Sequence, residues 1–440
     1  MSRIAVIGAG PMGLAAAYQA AKDGHQVDVF EAGPVAGGTA AHFDFGGLSL
    51  ERFYHFVCRG DRPTFELLAE LGIADKLRWV PTSMGFYLNG KVHSWGDPFA
   101  LLRLPQVSLL AKIRYGLFAL SCIRRRSWSS LDNRSASEWT AAWCGKKGYE
   151  LFWRPLLDLK FYELAGSISA AWLWGRIRRT AESRKSIMQE ELGYIEGGSE
   201  TLVVALVNAI VSAGGKVHLK AGVREVVSQD GQIVGVNTTV GQFPADHVLS
   251  TVPMPYVTTM IPGLPVEWKE RYDSLKSVGI CCAILKLRRP VSPHFWVNIS
   301  DPEHEIPGVI EFSNLRPLGP SIVYVPYYMP RDNPKFSWTD EQFTNHAFAC
   351  LQRLNPALVP GDLLDASIGR LRYAQPVCDV GFAAKLPSIQ TPIAGLQVAD
   401  TSFYYPEDRS IAESAHLGRR MAKAVTENSP ARLGAAIPRD

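Results

Sequence analysis

The chain has 440 residues, 47% of them hydrophobic and 20% charged. That suits two or three globular domains and excludes a disordered or fibrous protein. Lys and Arg number 46 against 42 Asp and Glu, which excludes a uniformly basic nucleic-acid binder. The spread is uneven: residues 101–190 hold 16 Lys/Arg, 7 Asp/Glu and six of the 11 tryptophans. Seven cysteines, an odd number with no Cys-x-x-Cys, read as reduced thiols and not as a disulfide framework or zinc site, so no metal is expected.

In chain order, residues 4–7 read as a short apolar strand, 8–13 as a Gly-rich turn and 14–23 as a small-residue helix ended by Gly24. Residues 26–30 form the next strand, completing a βαβ unit. The N-terminal apolar run imitates a secretory leader, but the strand–turn–helix reading explains it better. From about 64 to 190 the pattern is mostly helical, with few strand signals. A helix follows at about 200–213, a strand at 216–219, and two strands at 223–227 and 233–238 around the turn Asp230-Gly231. Residues 247–251 are a short strand. Residues 262–390 mix strands (280–287, 322–327) with a helix near 341–353. Residues 396–399 are the last strand, 410–426 the last helix, and 427–440 a frayed tail. No apolar run reaches the roughly 18 residues that a membrane-spanning helix needs.

Gly8-x-Gly10-x-x-Gly13 sits between a strand and a helix, where a dinucleotide-binding turn belongs. The first Gly permits the turn, the second lets a pyrophosphate approach the backbone, and the third allows close helix–strand packing. The helix N-terminus adds unpaired N–H groups for phosphate. Glu31, 18 residues after Gly13 and at the end of the second strand, is placed for ribose hydroxyls and would repel a 2′-phosphate. Gly37-Gly38 suggests a second backbone approach to the same nucleotide.

With these features in place, the chain resembles FAD-dependent oxidoreductases of the glutathione-reductase-like class. More narrowly, it resembles the flavin amine oxidase, protoporphyrinogen oxidase and phytoene desaturase superfamily, with protoporphyrinogen-oxidase-like proteins nearest. Gly193 to Gly198 with Val217 and Val223, Ala245 to Pro253, Gly395 to Asp400, and Ser410 to Ser414 with Gly418 carry the likeness further. The resemblance implies FAD, a backbone contact from Val223 to adenine, a bond from Asp400 to the ribityl or pyrophosphate part, and a helix N-terminus near Ile411 facing the flavin. Relatives often carry basic residues around the Gly pair. Val35 and Thr39 stand there instead, leaving phosphate to backbone groups. The lysine that flavin amine oxidases place after the middle strand is missing from residues 255–260, which weakens amine oxidation, and Cys378 reads as an ordinary thiol.

The expected fold class is α/β: a Rossmann-like FAD domain from residues 1–60, 191–255 and 391–440, interleaved with an α+β substrate domain from 61–190 (helical, basic, Trp-rich) and 256–390. Substrate-side candidates are His55 as acid/base, beside Arg52 and Tyr54, Tyr404 within Phe403–Pro406, and Arg372 with Gln375 for an anionic group. Tyr327-Tyr328 is a similar candidate. Residues about 98–128 combine an apolar helix with flanking cations and Trp128. They read either as a core helix with a solvated basic end or as a peripheral membrane contact. Arg176, Arg178 and Arg179 are alternatives for an anionic substrate. The function expected is FAD-dependent removal of a hydride from a hydrophobic or anionic small molecule, with reoxidation by O₂ or a quinone, in the cytoplasm or on a membrane surface. The rivals are a sugar-nucleotide mutase using reduced FAD and a non-catalytic flavin or lipid binder.

Overall fold

The computed structural model describes residues 1–186 and 188–426. The expected tail at 427–440 lies outside them. The first strand, Arg3–Ile7, is buried from its second residue on and lies at the centre of a five-stranded parallel sheet. Its strand order is Lys216–His218, Gln26–Phe30, Arg3–Ile7, His247–Ser250, Leu396–Val398. A parallel strand buried on both faces reads as an unbroken apolar run, which is why the central strand was legible. The helix Pro11–Lys22 leaves the first strand through the Gly-rich turn and buries Leu14 to Ala17, Ala20 and Ala21. Gly24 ends it at a positive φ of 85°, as expected of a glycine after a helix.

Two helices pack on this sheet unit. Ser199–Ser212 lies on one side, with Leu202, Leu206 and Ile210 in the same core as the strands. Ile411–Thr426 lies against Pro11–Lys22, so closely that a Cβ on Gly418 would stand 2.1 Å from the Met12 carbonyl oxygen. The meander Val223–Gln229, Gln232–Thr238, Gly241–Pro244 turns first at Asp230-Gly231, both with positive φ, the geometry of a two-residue hairpin turn.

A seven-stranded sheet stands over the mouth of the nucleotide unit. Its order is Leu363–Pro376, Ser277–Leu287, Ser321–Met329, Gly308–Glu311, Trp296–Ile299, Met84–Leu88, Lys91–Trp95. Neighbours are antiparallel except Trp296–Ile299 with Met84–Leu88. The helix Asp340–Leu354, started by a capping box from Thr339 and Gln342, covers one face.

Residues 61–190 are mainly helical but also carry strands. Leu77–Thr82, Met84–Leu88, Lys91–Trp95 and Arg184–Ser186 are strands, and Leu77–Thr82 pairs with Gln189–Ile195 from far along the chain. Pro81 and Gly85 disguised two of these strands, and the partners of Leu77–Thr82 and Met84–Leu88 at 189–195 and 296–299 are remote in sequence. Helices fill the rest: Pro98–Arg103, Leu109–Arg124, Ala136–Phe152, Arg154–Phe161 and Ala170–Glu182. The concentration of tryptophan belongs to their core: Trp139, Trp172 and Trp174 are almost wholly buried. Trp128, expected at an interface, packs edge-on against Tyr405 instead.

Candidate active site

One cavity of about 1300 Å³ runs between the parallel sheet unit and the seven-stranded sheet. It exceeds the usual 300–1,000 Å³ of a ligand pocket, so it has room for a large cofactor and a substrate together. Gly8, Gly10, Glu31, Gly38, Thr39, Val223, Asp400 and Ile411 all line it. Gly13 and Gly37 shape it from behind. A Cβ on Gly13 would fall 1.9 Å from the Gly8 carbonyl oxygen, and one on Gly37 would fall 2.8 Å from Cα of Ala41. Gly37 N–H donates to the Ala9 carbonyl at 2.8 Å, tying the glycine pair to the first turn.

The helix Pro11–Lys22 begins at Gly10 with no side-chain cap and no acidic residue in its first turn. Its N-terminal dipole is therefore left for an anion. Glu31 accepts from the N–H groups of Ala9 at 3.0 Å and Gly33 at 2.7 Å, which fixes its carboxylate at the cavity wall. A carboxylate has about four acceptor sites, so capacity for sugar hydroxyls remains. Asp400 accepts from the N–H groups of Met254 and Ser402 at 3.0 and 2.8 Å, and burial raises its pKa. The last helix opens with Ser410 Oγ accepting from Glu413 N–H at 3.0 Å. A bare-backboned cradle, a dipole and a ribose-sized carboxylate site fit a dinucleotide.

The other side of the cavity is aromatic. Phe53, Phe56, Phe86, Trp95, Tyr115, Phe152, Trp153, Phe295 and Trp296 line it. Polar groups gather at one place: Tyr54, His55, Arg176, Tyr328, Asp408 and Arg409. Arg176 pairs with Asp408 at 2.8 Å, and Arg409 Nη2 donates to the Tyr328 hydroxyl at 3.3 Å. Burial alone would raise the Asp408 carboxyl, but Lys160, Arg176 and Arg409 outweigh that and hold it well below the usual carboxylate range. Burial lowers the His55 pKa, so its imidazole is neutral near pH 7 and its buried Nδ1 has no hydrogen-bond partner among the described residues.

Other expected residues lie elsewhere. Arg372 is exposed, on the strand face opposite Leu371 and Tyr373, which do line the cavity, and Arg52 is also exposed. Tyr404 lines the cavity and its hydroxyl meets Ser414 Oγ at 2.8 Å. Tyr405 points away, bonded to Asp132 and Ser169. Tyr327 turns to His346. Arg179 lines the cavity but is held by Asp61, and Arg178 pairs with Glu182. Cys378 is buried outside the lining, its thiol pushed well up by burial.

Arg409 was missed in the sequence. A cation beside a helix start opposes the helix dipole, and that misplacement was the available signal. Lys160 stands behind this group. It is 2% exposed, with its ammonium 4.7 Å from the centre of the Tyr328 ring and 5.0 Å from that of Trp172, and burial pushes its pKa well down.

Residues 13–399 match the family model of flavin containing amine oxidoreductases. The chain belongs to that family. It is an FAD-dependent oxidoreductase of α/β fold. It is 25% identical over 337 residues to the 15-cis-phytoene desaturase of Synechococcus elongatus, which covers 69% of this chain and 67% of that protein. Against the zeta-carotene desaturase of Zea mays the match covers 65% of this chain and 55% of the relative. The chain thus spans about two thirds or less of these curated relatives. Among solved structures, a putative protoporphyrinogen oxidase from Exiguobacterium sp. 255-15 superposes with a TM-score of 0.73 at 16% identity, covering 97% of this chain and 99% of that one. Reduced UDP-galactopyranose mutase reaches 0.76, also at 16%, covering 100% and 98%. At these identities the structural likeness carries the fold alone. Among the described residues, no helix is long and apolar enough to cross a membrane.

Proposed function

We propose that the enzyme dehydrogenates an apolar or amphipathic small molecule held on the aromatic side of the cavity. The observation that carries this is the continuity of one space between the glycine cradle and the aromatic wall. In this reading Gly8, Gly10, Gly13, Glu31, Gly37, Gly38, Thr39, Val223, Asp400 and Ile411 hold FAD, and residues 1–60, 191–255 and 391–426 form its domain. Segments 61–190 and 256–390 form the substrate domain. Bound FAD supplies a hydride acceptor, later reoxidised by O₂ or a quinone. The aromatic wall excludes water and orients the reacting C–H bond, in a C–N or an activated C–C pair. His55, neutral near pH 7 and facing the cavity, is the candidate to accept a proton on its imidazole. Tyr404 helps shape the substrate's position. Arg372, exposed on the far face of its strand, drops out of the proposed site.

Peripheral membrane contact through residues about 98–128 belongs to the same reading. Phe99, Leu102, Leu109, Leu110, Ile113 and Leu117 are exposed, and Leu120 and Ile123 are both exposed and part of the cavity lining. An apolar row at a cavity mouth, flanked by Arg124, Arg125 and Arg126, suits a lipid surface and a lipophilic substrate.

The likeness to the mutase fold keeps one alternative specific. Photoreduced protein is incubated with UDP-galactopyranose, and FAD-loaded protein with phytoene, a porphyrinogen and an amine. Flavin reduction by one of the latter, with no sugar isomer formed, is expected. A ring-contracted sugar without net flavin oxidation would overturn the dehydrogenase reading.

A further inference from the structure

The polar group in the cavity carries more positive than negative charge. Asp408 is the carboxylate within it, and it is engaged by Arg176 at 2.8 Å and by the Arg409 backbone N–H at 3.0 Å. The Arg409 guanidinium forms no ion pair among the described residues. It donates to the Ala374 carbonyl and the Tyr328 hydroxyl, and its buried Nε has no partner. Behind Tyr328, the Lys160 ammonium lies against the Phe161, Trp172 and Tyr328 rings, close enough to Asp408 to act on it electrostatically, and likewise forms no ion pair among the described residues. Even with Lys160 neutral, two partly buried guanidiniums share one carboxylate on the cavity wall. A buried charge without a counter-charge is costly, so such an arrangement is completed by an anion. Guanidinium is also the side chain best matched to carboxylate and phosphate oxygens.

The same cavity continues along Tyr115, Phe152 and Trp153 to Leu120 and Ile123, which are 41% and 57% exposed and mark its mouth. A ligand filling this space would place an anionic group at the buried end and an apolar body towards the mouth. We propose that Arg409, with Arg176 and Tyr328 beside it, is the anion-binding pole of the substrate site, so that the substrate is an anionic amphiphile bearing a carboxylate or phosphate and not a bare hydrocarbon. This rests on the reading of the cavity as the dehydrogenase site, and it makes Arg409 the specificity-determining residue for the head group.

The test ranks head groups on one alkyl chain. The FAD-loaded full chain is titrated with laurate, dodecyl phosphate and dodecanol, each below its micelle concentration, reading the flavin visible band and tryptophan fluorescence. Laurate or dodecyl phosphate is expected to bind at least about tenfold more tightly than dodecanol, the expected size for one charge-assisted contact. The tighter of the two identifies the anion. Arg409→Met should remove that preference while leaving dodecanol binding unchanged, and Arg409→Lys should restore part of it. Equal binding of all three probes to the wild-type protein overturns the proposal, even if the Met variant does not fold. A Met variant that shifts the unliganded flavin's reduction potential but keeps the head-group preference also overturns it, because the cation then serves the cofactor. The fluorescence ranking does not need flavin. Protein that takes up no FAD but still prefers the anions overturns the dehydrogenase reading and supports the anion pole.

Discussion

Gly38 lies back to back with Gly10: a Cβ on Gly38 would stand 3.0 Å from Cα of Gly10. The second glycine pair therefore completes the first turn, and the strip between them stays free of side chains. Gly38 also has a φ of +54°, which an L side chain rarely adopts. Gly38→Val should leave the sheet intact and abolish FAD retention. The check is the flavin-to-protein absorbance ratio after purification, with circular dichroism to show the fold. A variant that keeps a full complement of FAD would remove this loop from the cofactor site.

Glu31 ties Ala9 and Gly33 together and faces the cavity. Glu31→Gln keeps the shape and loses the charge. A hydrogen bond to a charged group contributes about 1.5–3 kcal/mol, so FAD affinity should fall about tenfold or more. Titration calorimetry of the apoprotein measures it. Unchanged affinity would mean that the carboxylate serves only the backbone turn.

Gly418 sets the spacing of two helices whose N-termini both reach the cavity. A β-carbon there would meet the Met12 carbonyl oxygen at 2.1 Å and the Ala16 nitrogen at 3.0 Å. Gly418→Val must push Ile411–Thr426 away from Pro11–Lys22. Overpacking of this kind costs about 1–3 kcal/mol or more. The melting temperature should drop by several degrees and FAD should bind more weakly, both read in one thermal scan with and without added FAD.

Glu51 is buried and accepts from Ser199 N–H at 3.0 Å, at the start of Ser199–Ser212, and from Arg316 at 3.3 Å. Burial would raise its pKa, but His42, Arg316 and the Ser199 bond prevail and hold it at about 2. A depressed carboxyl adds stability that is fully present above its unfolded pKa, near 4.5, and is lost as pH falls towards 2. Glu51→Gln should therefore destabilise the fold at pH 7 by on the order of 3 kcal/mol, read as a lower urea midpoint. The gap to wild type should close between pH 4.5 and pH 2. A gap independent of pH would assign the effect to packing.

Ile113 and Leu117 are exposed at 49% and 54% on the helix Leu109–Arg124. Changing both to Glu should not disturb the fold. It should weaken partitioning onto anionic phospholipid vesicles, read by sedimentation, by about a hundredfold or more, since each buried apolar side chain contributes about 1.5–3 kcal/mol. If the wild-type protein does not sediment with such vesicles, the row has another use.

The nucleotide unit was legible because its signals are local. Strand, glycine turn, helix and Glu31 fall within one short stretch, and the central strand is apolar from Ile4 to Ile7. The strands at 77–95 were missed although Asn89-Gly90 marks a hairpin turn, with φ of 50° and 77°. Met84–Leu88 and Lys91–Trp95 pair with each other across that turn, but Leu77–Thr82 and Met84–Leu88 also pair with strands at 189–195 and 296–299, and no local pattern reveals that pairing. The charged part of the site was only partly legible for the same reason. Arg176, Tyr328 and Arg409 come from three distant elements, and the topology alone brings them to one wall. Arg372 misled because the strand Leu363–Pro376 was not expected, and without it the direction of the side chain had no guide.

The central claim is tested most directly by the flavin's visible band in the FAD-loaded protein, mixed anaerobically with apolar and anionic amphiphilic candidates. The account predicts bleaching of the band in step with formation of a product two hydrogens lighter, and its recovery on admitting O₂ or a quinone. A flavin that binds fully yet stays oxidised with every candidate, while the photoreduced protein isomerises UDP-galactopyranose, would contradict it.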